Sequence, residues 1–381
     1  MSSSFLAAWR GKRLNWSALL FIGGYHLALL VALPLYLIHN SPSWLLIGCT
    51  AFLWTATLMA ITTGYHRLYA HRTYNVHPAV EAVLLFFGTL SAQGSVFEWA
   101  HDHRLHHRHV DTDEDPYETE RGFWHPHVLW MFKGREDLDE KYLADLKQNR
   151  LLVLQDRYYG LLMAAANIFV FAAVGVATGD VAGAFVFAIL VRLFLAHHCT
   201  WFINSLAHMW GSKPYSTEHS AVNNFILALL TFGEGYHNYH HTFSGDYRNG
   251  VRWYQFDPPK YVIWLLSKFG LASDLKTMDP LMIKKRLVQA DRELLIDHLS
   301  RLRDQHAKAF MDAVEKTSDK LTSTITAAKT ARDRYRAARD ADPTRARELR
   351  QRVEELRKEC TRDLKTWRRL CRLVMKMEPA V

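Results

Sequence analysis

The sequence predicts an all-α integral membrane protein, with four transmembrane helices, a histidine-rich metal-binding cap on the cytoplasmic side and a C-terminal helical hairpin. Three observations predict it. Residues 17–64, 79–97 and 159–203 are long apolar stretches. Residues 290–381, by contrast, are nearly all polar helix formers. Histidine is the anomalous residue, with 21 in all and 19 of them before residue 290. The hydrophobic fraction, 49%, is that of an ordinary globular chain, so the uneven distribution decides. It excludes one small soluble domain and a disordered chain. Cys49, Cys199, Cys360 and Cys371 form no CxxC pair, which argues against a zinc ribbon or a disulfide framework.

Residues 1–13 end in Arg10, Lys12 and Arg13. Residues 17–38 then form an apolar run long enough to cross a hydrocarbon core of ~30 Å. The run is long for a cleaved signal and no small-residue cleavage site follows it, so it is read as a retained span. The turn at 39–43 leads to a second span at 44–64, which exits into Arg67 and Arg72. Basic residues at these ends place the N-terminus and the segment after residue 65 in the cytoplasm. Residues 79–97 are read as a helix buried in, or lying on, the membrane face. A crossing there would put the histidines at 66–71 and 101–107 on opposite sides. Spans at 159–178 and 181–203 are joined by Thr178, Gly179 and Asp180, a turn without Lys or Arg. Both termini are therefore expected in the cytoplasm. Residues 222–233 and 261–271 are too short to cross and read as interfacial or core helices.

The membrane body is placed at 1–289 and a helical extension at 290–381. The extension holds 23 Lys and Arg against 16 Asp and Glu, so +7 of the net +9 lies there. Anionic lipid rather than nucleic acid is its expected contact, because a membrane body precedes it. One long helix is expected at 281–340, on Leu287, Leu294, Leu302, Phe310, Val314, Leu321 and Ile325. Asp342-Pro343 ends it, since proline cannot continue a helix interior. A second helix at 344–377 carries Leu349, Val353, Leu356, Cys360, Trp367, Leu370, Val374 and Met377 near heptad spacing, so a hairpin or coiled coil is predicted.

The histidines fall into motifs: His66-Arg-Leu-Tyr-Ala-His71, His103-Arg-Leu-His106-His107, His237-Asn-Tyr-His240-His241, and Asn204-Ser-Leu-Ala-His208. Positions i, i+3 and i+4 of a helix share a face, so each HxxHH can aim three imidazoles at one place. His66 and His71, at i and i+5, sit about 140° apart on a regular helix, so one of them must come from a helix end or a bend. All four motifs fall on the cytoplasmic side. Nine histidines are too many for one metal and suit two. With imidazole ligands and neither cysteine nor a carboxylate-rich set, iron used for oxygen chemistry is expected. The remaining histidines read otherwise. His26, His39, His197 and His198 are expected in the core or at the interface. His77, His101, His109, His125, His127 and His219 are expected at the surface or beside the site.

At these residues the sequence resembles the membrane fatty-acyl desaturases of the stearoyl-CoA Δ9 type, over roughly residues 15–285. The wording that carries it is HRLYAH, EWAHDHRLHH, NSLAH and GEGYHNYHH. The resemblance implies two irons (Fe2+/Fe3+) held by His66, His71, His103, His106, His107, His208, His237, His240 and His241, with Asn204 holding a water. It implies O2 as co-substrate, two electrons from outside, and removal of two hydrogens from a saturated acyl chain to leave a cis double bond. It also implies an acyl tunnel bent by Gln93, Trp99 and Thr200, with Trp201 in its wall and Trp54 and Leu58 at its far end. Both far-end residues are bulky, so a short acyl pocket is expected. Asp102 is retained near the headgroup. Two departures stand beside it: His101 replaces the family's common arginine, and Gly94 replaces an asparagine at the CoA end. Acyl-CoA is the expected substrate, with acyl groups on carrier protein or phospholipid left open.

No haem loop of the HPGG type is visible in the extension. A separate electron donor of the cytochrome b5, ferredoxin or flavoprotein type is therefore expected. The compact build suggests a bacterial inner membrane. Three other readings compete. A related di-iron fatty-acyl or alkane hydroxylase shares the chemistry but carries other motif wording. A non-catalytic membrane metal-binding protein would want its ligands at mid-membrane depth. A scaffold built around the tail leaves nine converging histidines unexplained.

Overall fold

The computed structural model describes residues 14–134, 137–302 and 306–377. Arg10, Lys12 and Arg13, expected to orient the first span, lie outside the described residues. The chain forms two compact units, one from residues 1–212 with 219–277 and the other from 213–218 with 278–381.

The first unit contains four helices long and apolar enough to cross a membrane: Trp16–His39, Trp44–Ala70, Tyr159–Thr178 and Val181–His208. The second and fourth run past their predicted ends at 64 and 203, and they are the inner pair. Their apolar windows are 44% and 50% buried, against 11% and 22% for the first and third. Leu27 and Leu30 of the first span, and Ile168, Phe169 and Val176 of the third, are exposed. Such side chains suit lipid.

The inner spans share a departure from regular geometry. Ile61–Ala70 and Ala184–Val191 are wound as π-helix. The second ends against Arg192, a charge that the apolar reading of 181–203 passed over. Arg192 is fully buried. Its guanidinium donates to Ala188 O at 2.8 Å, Leu90 O at 2.9 Å and Asn167 Oδ1 at 2.5 Å. A buried ion is costly unless its donors are met. These acceptors meet it, and through Asn167 and Leu90 they fasten the fourth span to the third span and to the end of the helix at Pro78–Leu90.

The stretch expected as one helix at 79–97 is two: α1 (Pro78–Leu90) and α2 (Val96–His109). Ala92 and Gly94 adopt positive φ, which interrupts any helix. Ser95 then starts α2 with a capping box, its hydroxyl accepting from Glu98 N–H while Glu98 accepts from Ser95 N–H. The expected short helices are present as α3 (Phe225–Leu230) and α5 (Pro258–Lys268), separated by α4 (His237–Thr242). Phe225, Leu229, Trp264 and Leu265 are exposed, consistent with an interfacial position. A small antiparallel pair, β1 (Asn75–Val76) with β2 (Ala272–Ser273), matches Asn75 to Ser273 and Val76 to Ala272.

The second unit holds the predicted hairpin, α7 (Ala307–Ala338) and α8 (Pro343–Val374), and a third helix, α6 (Pro280–Ser300). The single helix expected at 281–340 is thus divided. The boundary expected at 289 falls inside α6. Asp342 caps α8 by accepting from Arg345 N–H, with Pro343 at its first position, where a missing N–H costs nothing. Val314, Leu321, Ile325, Cys360, Trp367 and Val374 form the core as expected. On α6 the buried residues are Ile283, Val288, Ala290, Leu295 and Leu299, while Leu294 is 48% exposed. A helix that starts afresh at Pro280 need not keep the register of the one after it.

Candidate metal centre

Four elements deliver the nine histidines. His66 lies in the π-helical end of the second span and His71 directly follows it. The π winding answers the spacing problem. His71 N–H donates to His66 O at 3.0 Å, an i to i+5 bond that stacks these two residues on one face. Their ring centroids lie 4.8 Å apart. α2 carries His103, His106 and His107, α4 carries His237, His240 and His241, and His208 ends the fourth span.

The histidines form two groups, not one focus per motif. His66, His71, His103, His107 and His240 make the first, and His106, His208, His237 and His241 the second. Within each group the ligand nitrogens all lie within 4.8 Å of one another. Each HxxHH helix serves both groups. On α2 the i, i+4 pair His103 and His107 joins the first group while His106 joins the second. On α4 the pair His237 and His241 joins the second while His240 joins the first. Residues i+3 and i+4 point about 100° apart around a helix, so each helix reaches two foci.

The motif residues between the histidines hold this arrangement. Arg67, fully buried, donates to Glu234 Oε1 at 2.9 Å and Tyr247 O at 2.9 Å, and pairs with Asp257 at 2.9 Å. Arg104 donates to Ala70 O, Tyr69 O and both oxygens of Asp145, at 2.6–2.9 Å. It locks α2 to the end of the second span. The imidazoles are oriented from behind. His66 Nδ1 donates to Glu234 Oε2 at 3.0 Å, and His106 Nδ1 to Asp115 Oδ1 at 2.9 Å. His208 Nδ1 meets Ser220 Oγ at 2.7 Å, and Asp111 Oδ2 accepts from Ser220 N–H at 2.5 Å. A proton fixed on Nδ1 leaves the Nε2 lone pair facing the focus.

Those lone pairs test whether a metal fits. His240 Nε2 lies 2.9 Å from His66 Nε2 and 2.8 Å from His107 Nε2. His71 and His103 meet at 2.8 Å, His208 and His237 at 3.1 Å, and His237 and His241 at 3.0 Å. Ligands about 2.1 Å from a metal and at right angles to each other are about 3.0 Å apart, and opposite ones about 4.2 Å. The first spacing matches these contacts, and the second lies within the 4.8 Å that bounds each group. His106 Nε2 is buried without a hydrogen-bond partner, an orphan that a metal in the second group would satisfy. The donor sets fit two metal ions.

The protonation states agree. Burial, and then neighbouring imidazoles, hold His71, His103 and His107 well below the usual histidine range, with Arg104 and Arg67 adding to the effect at His71. Burial and neighbouring imidazoles do the same for His237, His240 and His241. Neutral imidazole is the ligating form. Burial alone would raise the Glu234 carboxyl, but the charges and hydrogen bonds of His66 and Arg67 hold it down to about 2, so it stays an acceptor.

The other predicted residues are placed as follows. Gln93 Nε2 donates to Thr200 Oγ1 at 3.1 Å. Trp99 stacks on His103 at 4.9 Å. Trp201 is buried, with His26, His127, His197 and His198 ringed around it at 4.9–6.1 Å. Leu58 is buried against Ala196 and Cys199, with Trp54 and Phe232 packed beside them. Asp102 is buried and accepts from His101 Nδ1 at 3.1 Å, while His101 Nε2 accepts from Asp139 N–H at 3.1 Å. Asn204 is half-buried at the end of its helix, and no described hydrogen bond ties its amide to the second group. His101, His125 and His127 are buried rather than superficial. Glu234, Asp115, Ser220, Arg67 and Arg104 were missed. Glu234 sits three residues before His237, a spacing that offered a signal; Asp115 and Ser220 offered none.

A chain with this fold and these paired clusters belongs to the fatty acid desaturase family, whose model matches residues 42–264. It is 42% identical over 241 residues to a probable acyl-CoA desaturase of Schizosaccharomyces pombe, covering 62% of this chain and 50% of that protein. It is 39% identical over 243 residues to acyl-CoA desaturase 1 of Saccharomyces cerevisiae, covering 62% and 47%. An sn-1 stearoyl-lipid 9-desaturase of Synechocystis is 35% identical over 266 residues, covering 68% and 80%. The chain thus spans about half the length of the two yeast relatives.

Proposed function

We propose that this protein is an O2-dependent desaturase that places a cis double bond, at Δ9, in a saturated acyl chain carried by CoA. The observation that supports this most is the pair of histidine clusters, five and four, built jointly by α2 and α4 beside Gln93, Trp99 and Thr200. His66, His71, His103, His107 and His240 would hold one iron. His106, His208, His237 and His241 would hold the other, with Asn204 reaching it through a water. Two irons, when bound, supply the activation of O2 needed to oxidise an unactivated C–H bond. The chain's own residues do the rest. Glu234, Asp115 and Ser220 keep their imidazoles turned to the foci. The Gln93–Thr200 hydrogen bond and the Trp99 ring fix a bend in the acyl path, so that one methylene pair is presented. Leu58 and Trp54 close the far end. Two electrons come from a separate donor of the cytochrome b5, ferredoxin or flavoprotein type. The proposed setting is a bacterial inner membrane, with both termini in the cytoplasm.

A second substrate reading has a specific observation behind it. Gly94 has φ +95°, and a Cβ there would stand 3.0 Å from Glu98 Oε2, so an asparagine at this position would be strained. With His101 engaged by Asp102 and Asp139, the CoA end lacks two groups that the resemblance assigns to it. Acyl groups on a phospholipid are the alternative, and the Synechocystis relative is named for a stearoyl-lipid substrate.

The test is expression in a host unable to make unsaturated fatty acids, with double-bond location in each lipid class and a His240→Ala control. Cis-monoenes that vanish in the control are expected. Hydroxylated chains instead would overturn desaturation. Labelling kinetics separate the substrates: monoenes appearing first in phospholipid favour the second reading.

A further inference from the structure

The family resemblance stops before the C-terminal bundle, and the charge on that bundle is not spread evenly. Lys358, Arg362, Lys365, Arg369, Arg372 and Lys376 recur at intervals of four, three, four, three and four. That spacing draws one straight stripe along α8 and just past its end, about 27 Å long. All six are exposed. Trp367, Cys360, Leu356 and Val374, which bury against the core, lie on the opposite side of the helix. From residue 364 to 377 there is no acidic residue. Asp363, the last one before that stretch, is buried and accepts from Lys320 at 2.9 Å. None of the six meets a carboxylate among the described residues, whereas Arg292 and Arg332 elsewhere in the bundle do. Leu373, 49% exposed, and Met375, 60% exposed, flank the stripe.

We propose that this stripe is a docking surface for anionic phospholipid headgroups. Favourable charge at a helix C-terminus needs one or two cations in the last turn; six along five turns exceed that role and repel one another unless an anion covers them. A straight row suits a plane of phosphates. Exposed Leu373 and Met375 beside basic residues are the pattern of a surface lying on a bilayer. The first unit's four spans put a bilayer within the same chain, and the cytoplasmic leaflet is the negatively charged one. An acidic protein would satisfy the charge but gives no use to the two flanking apolar residues.

The test uses the full chain in lipid nanodiscs and reads lysine acylation by a neutral reagent, with mass spectrometry. Acylation of Lys358, Lys365 and Lys376 is normalised to exposed Lys316 on α7. The expected result is at least about threefold slower acylation in discs containing phosphatidylglycerol than in all-phosphatidylcholine discs. Salt at about 0.5 M should remove the difference. A triple variant, Arg362→Gln with Arg369→Gln and Arg372→Gln, should reduce it while circular dichroism stays unchanged. Equal acylation in both lipids overturns the proposal. Protection in neutral discs only when a soluble acidic electron carrier is added overturns it in favour of a protein partner. None of these readouts depends on desaturase activity.

Discussion

The two histidine groups use the same two helices yet are built differently. The first has five imidazoles and is braced by charge: Glu234 holds His66 and is itself gripped by Arg67 and Asn249. The second has four imidazoles and a lighter brace, Asp115 on His106 and Ser220 on His208. A site with one ligand fewer keeps a position open to water or another small group. The comparison teaches that a repeated HxxHH motif does not make a repeated site. The motif supplies direction, and the unlike surroundings supply the rest.

The largest expected effect comes from His240, whose Nε2 touches both His66 and His107. His240→Ala should lower desaturation by at least about a thousandfold. Metal analysis should show loss from the first group, and retention of one ion per chain would establish that the groups fill independently. The braces come next. Glu234→Gln and Asp115→Asn should each weaken metal binding by about 10–100-fold. Only the first should also cost stability, about 3–5 kcal/mol, because it leaves Arg67 short of buried counter-charge. Equal melting temperatures for the two variants would erase the distinction between the groups.

Acid should act on the metal-free protein through the same histidines. His71, His103, His107, His237, His240 and His241 have depressed pKa values in the folded state. The unfolded chain takes up protons near pH 6.5 while the fold does not. Their contribution is therefore present above about pH 6.5 and is lost as pH falls, by about 1.4 kcal/mol per pH unit for each histidine that stays neutral. Denaturant titrations of metal-free protein at pH 7.5 and 5.5 check this; a flat profile would contradict it. Bound metal should steepen it, because it holds the folded-state imidazoles neutral to lower pH.

The smallest effect is confined to specificity. Trp54→Ala should improve use of longer acyl chains by about tenfold, a pocket-sized difference, with metal content unchanged. An unaltered chain-length preference would remove Trp54 and Leu58 from the far end of the pocket.

Much of this was legible in the sequence because it depends on local periodicity. Four spans, helical HxxHH motifs and a capped, proline-started α8 follow from run length, from the faces of a helix and from the chemistry of Asp342-Pro343. Where local rules were extended over distance they failed. Residues 79–97 read as one helix because the run is largely apolar, yet Ala92 and Gly94 turn the backbone. α6 and α7 read as one helix because charged helix formers carry no stop signal. Which residues carry imidazoles, and that they gather at or beyond the ends of the apolar spans, could be read from the chain, since spacing and hydropathy are properties of the sequence. The π winding that joins His66 to His71, the five-and-four division, and the bracing by Glu234, Asp115 and Ser220 emerge only when the helices pack. Those depend on where separate helices end beside one another, and hydrogen bonds such as those of Arg67 and Arg104, reaching far along the chain, leave no periodic trace.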